Sequence, residues 1–232
     1  MSTKFIDRGE FNIDVIFEDD RVIVINKPAG ISMHAKNIED RSKTIYSIFK
    51  SELADNDKLR GGIVHRLDKD TSGVLIMAKT TNELMYLQQQ FANRLVDKSY
   101  IALVWGHLKH HRARIELPIK RSTKAPNKMS IDALGKMAIS EYRVLAEYDK
   151  YSLVQIDIHT GRTHQIRVQF AHMGHPIVGD RLYGSKPMPE GLSRQFLHAK
   201  SLALSIERGK LKQKFEADMP KDLTDFLESL DG

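Results

Sequence analysis

Short apolar runs, each closed by turn-forming residues, are the feature of this chain that most limits its fold. The first two runs, Ile13–Phe17 and Val22–Asn26, are separated by acidic turn residues. The segment Lys27–Gly30 then breaks the chain, because proline lacks an N–H donor and glycine tolerates positive φ. Such runs are typical of β-strands. The same pattern predicts further strands at 73–78, 100–105, 141–146, 152–158, 196–206 and 211–217, the last two forming a hairpin around Arg208 and Gly209.

Fewer segments have the apolar spacing of a helix. Helices are predicted at 44–53, 82–94, 164–173 and from Pro220 onward. Thr80 and Thr81 offer N-cap hydroxyls to the second helix and Thr163 to the third, which Gly174 can end. Since strands outnumber helices and many are joined by hairpins, the sequence predicts an α+β fold. We expect a mixed, largely antiparallel central sheet with flanking helices and loops.

The composition excludes several kinds of site. The 232 residues include no cysteine, which rules out disulfides, thiolate zinc sites, iron–sulfur clusters and cysteine nucleophiles. No apolar run approaches the ~20 residues that span a bilayer. The first residues are polar and of mixed charge, unlike a signal peptide. We therefore expect a cytoplasmic protein with no membrane partner.

Positive charge is concentrated in one segment. The formal net charge of +6 is compatible with a polyanionic partner but does not establish one. Between His107 and Lys128, a single acidic residue, Glu116, stands against seven basic residues: Lys109, Arg112, Arg114, Lys120, Arg121, Lys124 and Lys128. Binding of a phosphate backbone needs clustered cations, because neutralised phosphates release condensed counterions. We interpret the segment as a phosphate-facing surface; a solvated hairpin loop is the alternative.

Two segments carry residues typical of a catalytic site. In 62–73, Asp68 stands between an apolar residue and a turn that ends in glycine. Its backbone is thereby fixed on both sides, and its carboxylate can be held rigidly while the loop faces a cleft. In 160–168, Arg167 lies about one turn inside the predicted helix, on a face different from that of Arg162.

Together these segments resemble the RluA-type pseudouridine synthase family. The resemblance is carried by six blocks in the family's order: Asn26–Gly30, His65–Gly73, Lys98–Tyr100, Gly161–Arg167, Gly174–Asp180 and Leu197–Ala199. It extends from about Ile13 to the C-terminal helix. It implies the pseudouridine synthase catalytic fold and an isomerase that acts on uridine in RNA. Such an enzyme breaks the N-glycosidic bond and rejoins C1′ to C5 of the base, without a cofactor or a metal.

The resemblance implies catalytic roles for Asp68, Tyr100 and Arg167. Asp68 matches the catalytic carboxylate, whose attack on C1′ of the ribose or on C6 of the uracil is left open. Because burial raises the pKa of a carboxyl group, a facing cation is needed to keep it charged, and Arg167 matches the arginine that pairs with it. Tyr100 is expected to stack on the uracil and to move a proton at C5. A tyrosine packed in the sheet is the alternative.

Other matched residues are assigned to RNA binding. Arg66 matches the residue that enters the stack when the target nucleotide flips out, a step that costs a few kcal/mol. A surface salt bridge is the alternative for Arg66. Substrate-binding residues are expected at six further positions: Lys98, Lys120, Arg121, Arg162, His164 and Leu197.

Many relatives carry an N-terminal S4-type RNA-binding domain, and we expect this protein to be a compact member without one. We expect residues 1–12 to form an N-terminal extension and residues 13–232 to form one catalytic domain of a compact, monomeric member. The partner is expected to be ribosomal RNA, transfer RNA or both.

The main alternative is a catalytically silent RNA-binding or ribosome-assembly protein on the same scaffold. The joint presence of Asp68, Tyr100 and Arg167 argues against it. Lys27–Gly30 is expected to shape a turn, and Asp70 to cap one, rather than to perform chemistry. Five histidines lack acidic partners at ligand spacing and are expected to be structural rather than metal ligands: His65, His164, His172, His175 and His198.

Overall fold

The computed structural model describes residues 4–8, 11–35, 43–54 and 61–230. These residues divide into two units. The first unit consists of Met1–Asp97 and Ala199–Met219, and the second of Lys98–His198 and Pro220–Gly232. Each unit is therefore built from two separate stretches of the chain.

Strands dominate the described residues. The strands are β1 (Lys4–Arg8), β2 (Phe11–Glu18), β3 (Val22–Lys27), β4 (Ser72–Ala78), β5 (Asp97–Trp105), β6 (Arg112–Arg121), β7 (Met129–Ile131), β8 (Lys136–Glu147), β9 (Tyr151–Ile158), β10 (Leu197–Leu204) and β11 (Gln213–Glu216). The helices are α1 (Ile45–Phe49), α2 (Thr81–Ala92), α3 (Gln165–His172) and α4 (Lys221–Glu228). This α+β composition confirms the predicted fold class.

The sheet of the first unit has the order β1-β2-β3-β4-β10, and β11 pairs with β10. The β1–β2, β2–β3, β3–β4 and β10–β11 ladders are antiparallel. Helix α2 covers the sheet and buries Leu84 and Leu87 against Val24, Ile76 and Phe215. These positions confirm the strands predicted at 13–17, 22–26 and 73–78.

Helix α2 has an N-cap at its start and a residue with positive φ just after its end. The Thr80 side chain accepts a hydrogen bond from the Glu83 N–H at 3.2 Å, which confirms it as the N-cap. After the helix, Arg94 takes a positive φ of 59° and Leu95 N–H donates to Gln90 O at 2.9 Å. This is the geometry of a left-handed helix end, which usually carries glycine.

The sheet of the second unit has the order β5-β9-β8-β6-β7, with an antiparallel ladder at each step. Helix α3 packs Val168 against Ile119 of β6 and Ala138 of β8. Helix α4 places the Phe226 ring 6.3 Å from Tyr151. The core of this unit therefore anchors α3 directly on the strands that carry the basic segment.

The basic segment 107–128 is only partly a loop. Its central residues, Arg112–Arg121, form β6, which pairs along β8 from Arg112 to Ile119 and with β7 near its end. Ile115 and Ile119 are buried, and the neighbours of Ile115, Arg114 and Glu116, are exposed, so the strand has the alternation of a half-buried sheet. Pro118, which has no N–H, sits opposite Met137 in this ladder.

Two local predictions were wrong at element ends. His164, not Thr163, is the N-cap of α3, because the chain turns there with a positive φ of 54°. Pro220 is the N-cap of α4 rather than a residue of its first turn. Within the expected N-terminal extension, residues 4–8 form β1, which pairs with β2, and the domain boundary at residue 13 stays a prediction. Residues 1–3, 9 and 10 of that extension lie outside the described residues.

None of the helices in the described ranges has both the length and the apolar character needed to cross a bilayer.

Candidate active site

Asp68 lies in a tight turn that leads into β4. The Thr71 N–H donates to Asp68 O at 3.1 Å, and the Gly30 N–H donates to Lys69 O at 2.9 Å. Leu67 is buried and Asp68 half-buried, whereas the following residue is exposed. The main chain is thus fixed on both sides of the carboxylate, which confirms the backbone geometry that the sequence predicted.

A buried lysine ties this turn to the loop after β3. The Lys27 side chain is 0% exposed, and its Nζ donates to Pro28 O at 2.7 Å and to Lys69 O at 3.1 Å. A buried ammonium group is costly unless it is hydrogen-bonded, and these two carbonyls bond it. Lys27 therefore does more than shape its own turn, since it also binds the carbonyl of the residue that follows Asp68.

Gly73 allows the Asp68 turn to enter the sheet. Its φ is +119°, and a Cβ at this position would lie 2.2 Å from Ala199 O of β10. No side chain fits at that distance, so glycine is required by both the backbone angle and the close approach. The approach brings β4 beside β10 immediately after the turn.

His65 is held by the sheet, while its neighbour is exposed. His65 Nε2 accepts the Ile76 N–H at 3.1 Å, and the imidazole stacks on Phe91 at 4.8 Å between ring centroids. This confirms the structural role expected for His65. Arg66, the residue assigned to base flipping, lies on the surface between His65 and the buried Leu67.

In the second unit, a buried amide fixes the start of α3. Gln165 Nε2 donates to Ile139 O at 3.1 Å and to Ser140 Oγ at 2.8 Å. Its Oε1 accepts Thr160 Oγ1–H at 2.7 Å and Arg162 N–H at 3.0 Å. All four hydrogen-bonding positions of the amide are used. The helix is consequently docked on β8 by its first residue.

Arg167 is buried in α3 and forms a bidentate ion pair with Asp180. Its Nε lies 2.7 Å from Asp180 Oδ2 and its Nη2 lies 2.9 Å from Oδ1. The carboxylate also accepts the Leu182 N–H at 2.9 Å and the Tyr183 N–H at 3.1 Å. Burial alone raises the pKa of Asp180, but the Arg167 bonds and charge, with the two N–H donors, outweigh it and hold that pKa below its usual value.

Tyr183 connects Arg167 to the β6–β7 hairpin. The Tyr183 hydroxyl accepts the Met129 N–H at 2.7 Å and lies 2.8 Å from His164 Nδ1, to which it can donate. The Arg167 guanidinium carbon lies 5.2 Å from the centre of the Tyr183 ring, and Lys128 Nζ lies 6.0 Å from it. Both cations are within the range of a cation–π interaction.

The other predicted site residues of the second unit occupy ordinary positions in its secondary structure. Tyr100 is buried in β5, and Lys98 is half-exposed near the start of that strand. Leu197 is buried at the start of β10. Arg162 Nε donates to Met137 O at 3.2 Å. Arg162, His164 and Arg167 therefore lie just before or within the first turn of α3.

Asp68 and Arg66 belong to the first unit, and Tyr100 and Arg167 to the second. The pairing of Asp68 with Arg167 joins residues of different units and stays a prediction.

Several cations of the basic segment already have acidic partners. Lys120 Nζ lies 2.8 Å from an oxygen of Asp132, and this bond lowers the pKa of that carboxyl group. Arg114 pairs with two glutamates, at 2.6 and 2.8 Å. Arg121 donates to a backbone carbonyl of the β6–β7 loop at 2.5 Å. The positive charge available to a phosphate is smaller than the residue count suggested.

Sequence analysis assigned no role to Asp180 or Tyr183. Asp180 stands inside one of the matched blocks, Gly174–Asp180, and this was the only signal that could have pointed to it. Nothing in the spacing of the residues indicated that its partner is Arg167.

The comparisons with known proteins agree with this structure. The profile of the family described as RNA pseudouridylate synthase matches residues 21–172. The chain is 40% identical over 222 residues to the ribosomal large subunit pseudouridine synthase D of Borreliella burgdorferi. This alignment covers 93% of this chain and 68% of the relative. The protein of the same name from Yersinia pestis is 32% identical over 233 residues, covering 95% and 71%. The uncharacterized RNA pseudouridine synthase YlyB of Bacillus subtilis is 35% identical over 223 residues, covering 94% and 73%.

Two solved human structures share the fold. Human RNA pseudouridylate synthase domain containing 4 aligns with a TM-score of 0.74 at 22% identity, covering 94% of this chain and 92% of that one. Human RNA pseudouridylate synthase domain containing 1 aligns with a TM-score of 0.69 at 24% identity, covering 95% of each chain.

Fold and sequence together define an enzyme that modifies RNA. The chain belongs to the RNA pseudouridylate synthase family. It is an isomerase that converts uridine in RNA to pseudouridine, which confirms the activity that the resemblance implied.

Proposed function

We propose that this isomerase acts on uridine in large-subunit ribosomal RNA, as a monomer in the cytoplasm, with Asp68 as its catalytic carboxylate. The ribosomal substrate is supported by the names of the relatives from Yersinia pestis and Borreliella burgdorferi. Transfer RNA is the other RNA that a compact member could use, and it serves as the comparison substrate in the test.

The fixed backbone around Asp68 is the observation that carries the catalytic assignment. The Thr71 N–H closes the turn by donating to Asp68 O, and the Gly30 N–H and the Lys27 ammonium both donate to Lys69 O from the loop after β3. A half-buried carboxylate on a fixed turn needs little reorganisation when it attacks C1′ or C6 of the substrate. Its neighbour Asp70 lies on the exposed side of the same turn.

We further propose that Arg167 pairs with Asp68 in the reaction, as the family resemblance implies. Arg167 is buried, and its guanidinium is fixed by Nε and Nη2 bonds to Asp180. Tyr100 would stack on the uracil and move a proton at C5.

RNA binding is proposed to use an exposed arginine and the α3–β6 region. Arg66 is exposed beside the Asp68 turn and can replace the flipped base in the stack. The remaining proposed contacts are Lys98, Lys120, Arg121, Arg162, His164 and Leu197. Of these, Lys120 must exchange its bond to Asp132 for a phosphate, so we expect it to contribute least.

The substrate is tested with purified protein and two unmodified transcripts, large-subunit ribosomal RNA and a transfer RNA set. Pseudouridine is mapped by reverse-transcription stops after carbodiimide treatment. We expect stops in the ribosomal transcript without any added cofactor. Stops confined to transfer RNA would overturn the ribosomal substrate.

The catalytic residue is tested with Asp68→Asn and a matched control, Asp70→Asn, two residues further along the same turn. Asp68→Asn should abolish product and leave RNA affinity nearly unchanged, because the loss is in the chemical step. Asp70→Asn should retain activity. If Asp68→Asn forms product at the wild-type rate, the assignment of Asp68 is overturned. If the wild-type protein binds RNA but forms no product, the catalytically silent RNA-binding protein is favoured instead.

A further inference from the structure

Arg167 has a long side chain, and a catalytic guanidinium must be held in one plane. The bidentate bonds to Asp180 supply that constraint, because two parallel N–H···O bonds fix both the position and the orientation of the group. The side chain of Asp180 is 0% exposed and that of Arg167 is 9% exposed. Water therefore does not compete for the pair.

Asp180 is itself rigidly placed by its own turn. Its carboxylate accepts two backbone N–H groups, from Leu182 and Tyr183, and its carbonyl accepts the Gly184 N–H at 2.8 Å. The carboxylate thus reaches Arg167 from a fixed backbone. The residue three positions further on, Tyr183, covers the guanidinium with its ring at 5.2 Å.

Arg167 is consequently held on one edge by a carboxylate and on one face by an aromatic ring. The Tyr183 hydroxyl is fixed in turn by the Met129 N–H and by His164. We propose that Asp180 and Tyr183 are positioning residues for Arg167, which they orient for the isomerisation. This inference rests on the catalytic role proposed above for Arg167.

A second bidentate pair in the same unit provides a matched control. Arg194 Nε lies 2.6 Å from Asp222 Oδ2 and its Nη2 lies 3.1 Å from Oδ1, and Arg194 is also buried. The side chain of Asp222 is 42% exposed, on the first turn of α4. Asp222→Asn removes the same kind of ion pair at a position to which no role in the reaction is assigned.

The test measures tritium release from ribosomal and transfer RNA transcripts labelled at C5 of uridine, under single-turnover conditions at saturating enzyme. RNA affinity and thermal unfolding are measured for each variant, and rates are compared at a temperature where all are folded. Asp180→Asn should lower the rate about 100-fold, because small displacements of a positioned group cost that much. Its Kd for RNA should stay within about threefold, whereas Asp222→Asn should keep the rate within about twofold.

Tyr183→Phe keeps the ring but removes the hydroxyl bonds, and we expect a smaller loss of about 3–10-fold in rate. A wild-type rate in Tyr183→Phe would show that the Tyr183 hydroxyl does not help to position Arg167.

A double-variant comparison separates positioning from general destabilisation. If Asp180 acts through Arg167, then Asp180→Asn should lower the rate less than about threefold further in an Arg167→Met background. A full 100-fold further loss there, or a near wild-type rate in Asp180→Asn alone, would overturn the inference. Wild-type rates in Asp68→Asn or Arg167→Met would instead overturn the proposed catalytic roles, so the two failures are distinguishable.

Discussion

The Asp68 turn and the Arg167 region are both rigid, but different groups make them so. Around Asp68 the bonds run between main-chain atoms, assisted by one lysine that donates to carbonyls. Around Arg167 they run mainly through side chains, including Gln165, Asp180 and Tyr183. A turn that is held by main-chain bonds can keep its shape when its side chains are substituted. A region that is held by side-chain bonds loses those bonds on substitution. The five predictions below test this difference, beginning with the largest expected effect.

Asp68→Asn should separate activity from stability. We expect a loss of activity of at least about 10³-fold, because a catalytic group is removed. The loss in free energy of unfolding should be smaller than that of the next variant, because the described bonds that fix the turn use the main chain. Tritium release and urea unfolding measure the two quantities. A stability loss comparable with that of the next variant would contradict the comparison.

Gln165→Leu should be the most destabilising of these changes. It leaves buried partners of the amide without a hydrogen bond, at a cost of about 2–4 kcal/mol in the free energy of unfolding. The control is Gln155→Leu on β9, where a partly exposed amide bonds Arg143 at 2.6 Å. That change should cost less than about 1 kcal/mol. Equal losses in urea unfolding would show that the buried network does not hold α3.

Lys27→Met tests a buried side chain that binds the Asp68 turn. The methionine fills similar space but leaves two carbonyls, Pro28 O and Lys69 O, without their donor. We expect a loss of about 1–3 kcal/mol in the free energy of unfolding. Lys69→Met, on the exposed side of the same turn, should change it by less than about 0.5 kcal/mol. The idea fails if chemical denaturation does not distinguish the two.

The Asp180 carboxylate should make the Arg167 region sensitive to acid. Its pKa is lowered in the folded state, so the unfolded chain binds this proton first as the pH falls. The stabilisation is complete above the ordinary value of 3.8 and is lost as the pH falls through the lower folded-state pKa. Wild type and Asp180→Asn should therefore differ in unfolding free energy at pH 6 and converge below pH ~3.8. A constant difference across acid unfolding curves would contradict this sign.

Arg94 and His164 both have positive φ, and they should respond in opposite ways to glycine. Arg94 is exposed at the end of α2, so Arg94→Gly should raise the free energy of unfolding by about 0.5–1 kcal/mol. His164→Gly also relieves the backbone but removes the ring that bonds Tyr183, and should lower stability. Thermal unfolding of both variants checks the signs. A gain in both would mean that the His164 ring contributes little.

The parts of the structure that sequence analysis predicted depend on nearby residues. Thr80 caps α2 through a residue three positions away, and the strands at 22–26 and 73–78 follow from apolar runs. The Asp68 turn was predictable for the same reason, since Leu67 and Gly73 constrain it from within one short segment.

What was missed depends on residues that are distant in sequence. Asp180 is 13 positions from Arg167, and no periodicity connects them. Thr163 looked like an N-cap, but Gln165 takes over the bonding of that turn through Thr160 and Arg162. Strand β6 has the alternation of a sheet, yet its charges led sequence analysis to interpret the segment as a phosphate-facing surface and to predict no strand there.

The neighbour relation between β4 and β10 has a consequence for biosynthesis. Every residue of β4 is buried, and its partner on one side is a strand that starts at Leu197. At ribosomal speeds of about 5–20 residues per second, on the order of ten seconds pass between the synthesis of β4 and that of β10. During this time one edge of the apolar strand β4 has no partner strand. Nascent chains that stall before residue 199 should therefore aggregate or recruit chaperones, and those that stall after β11 should not.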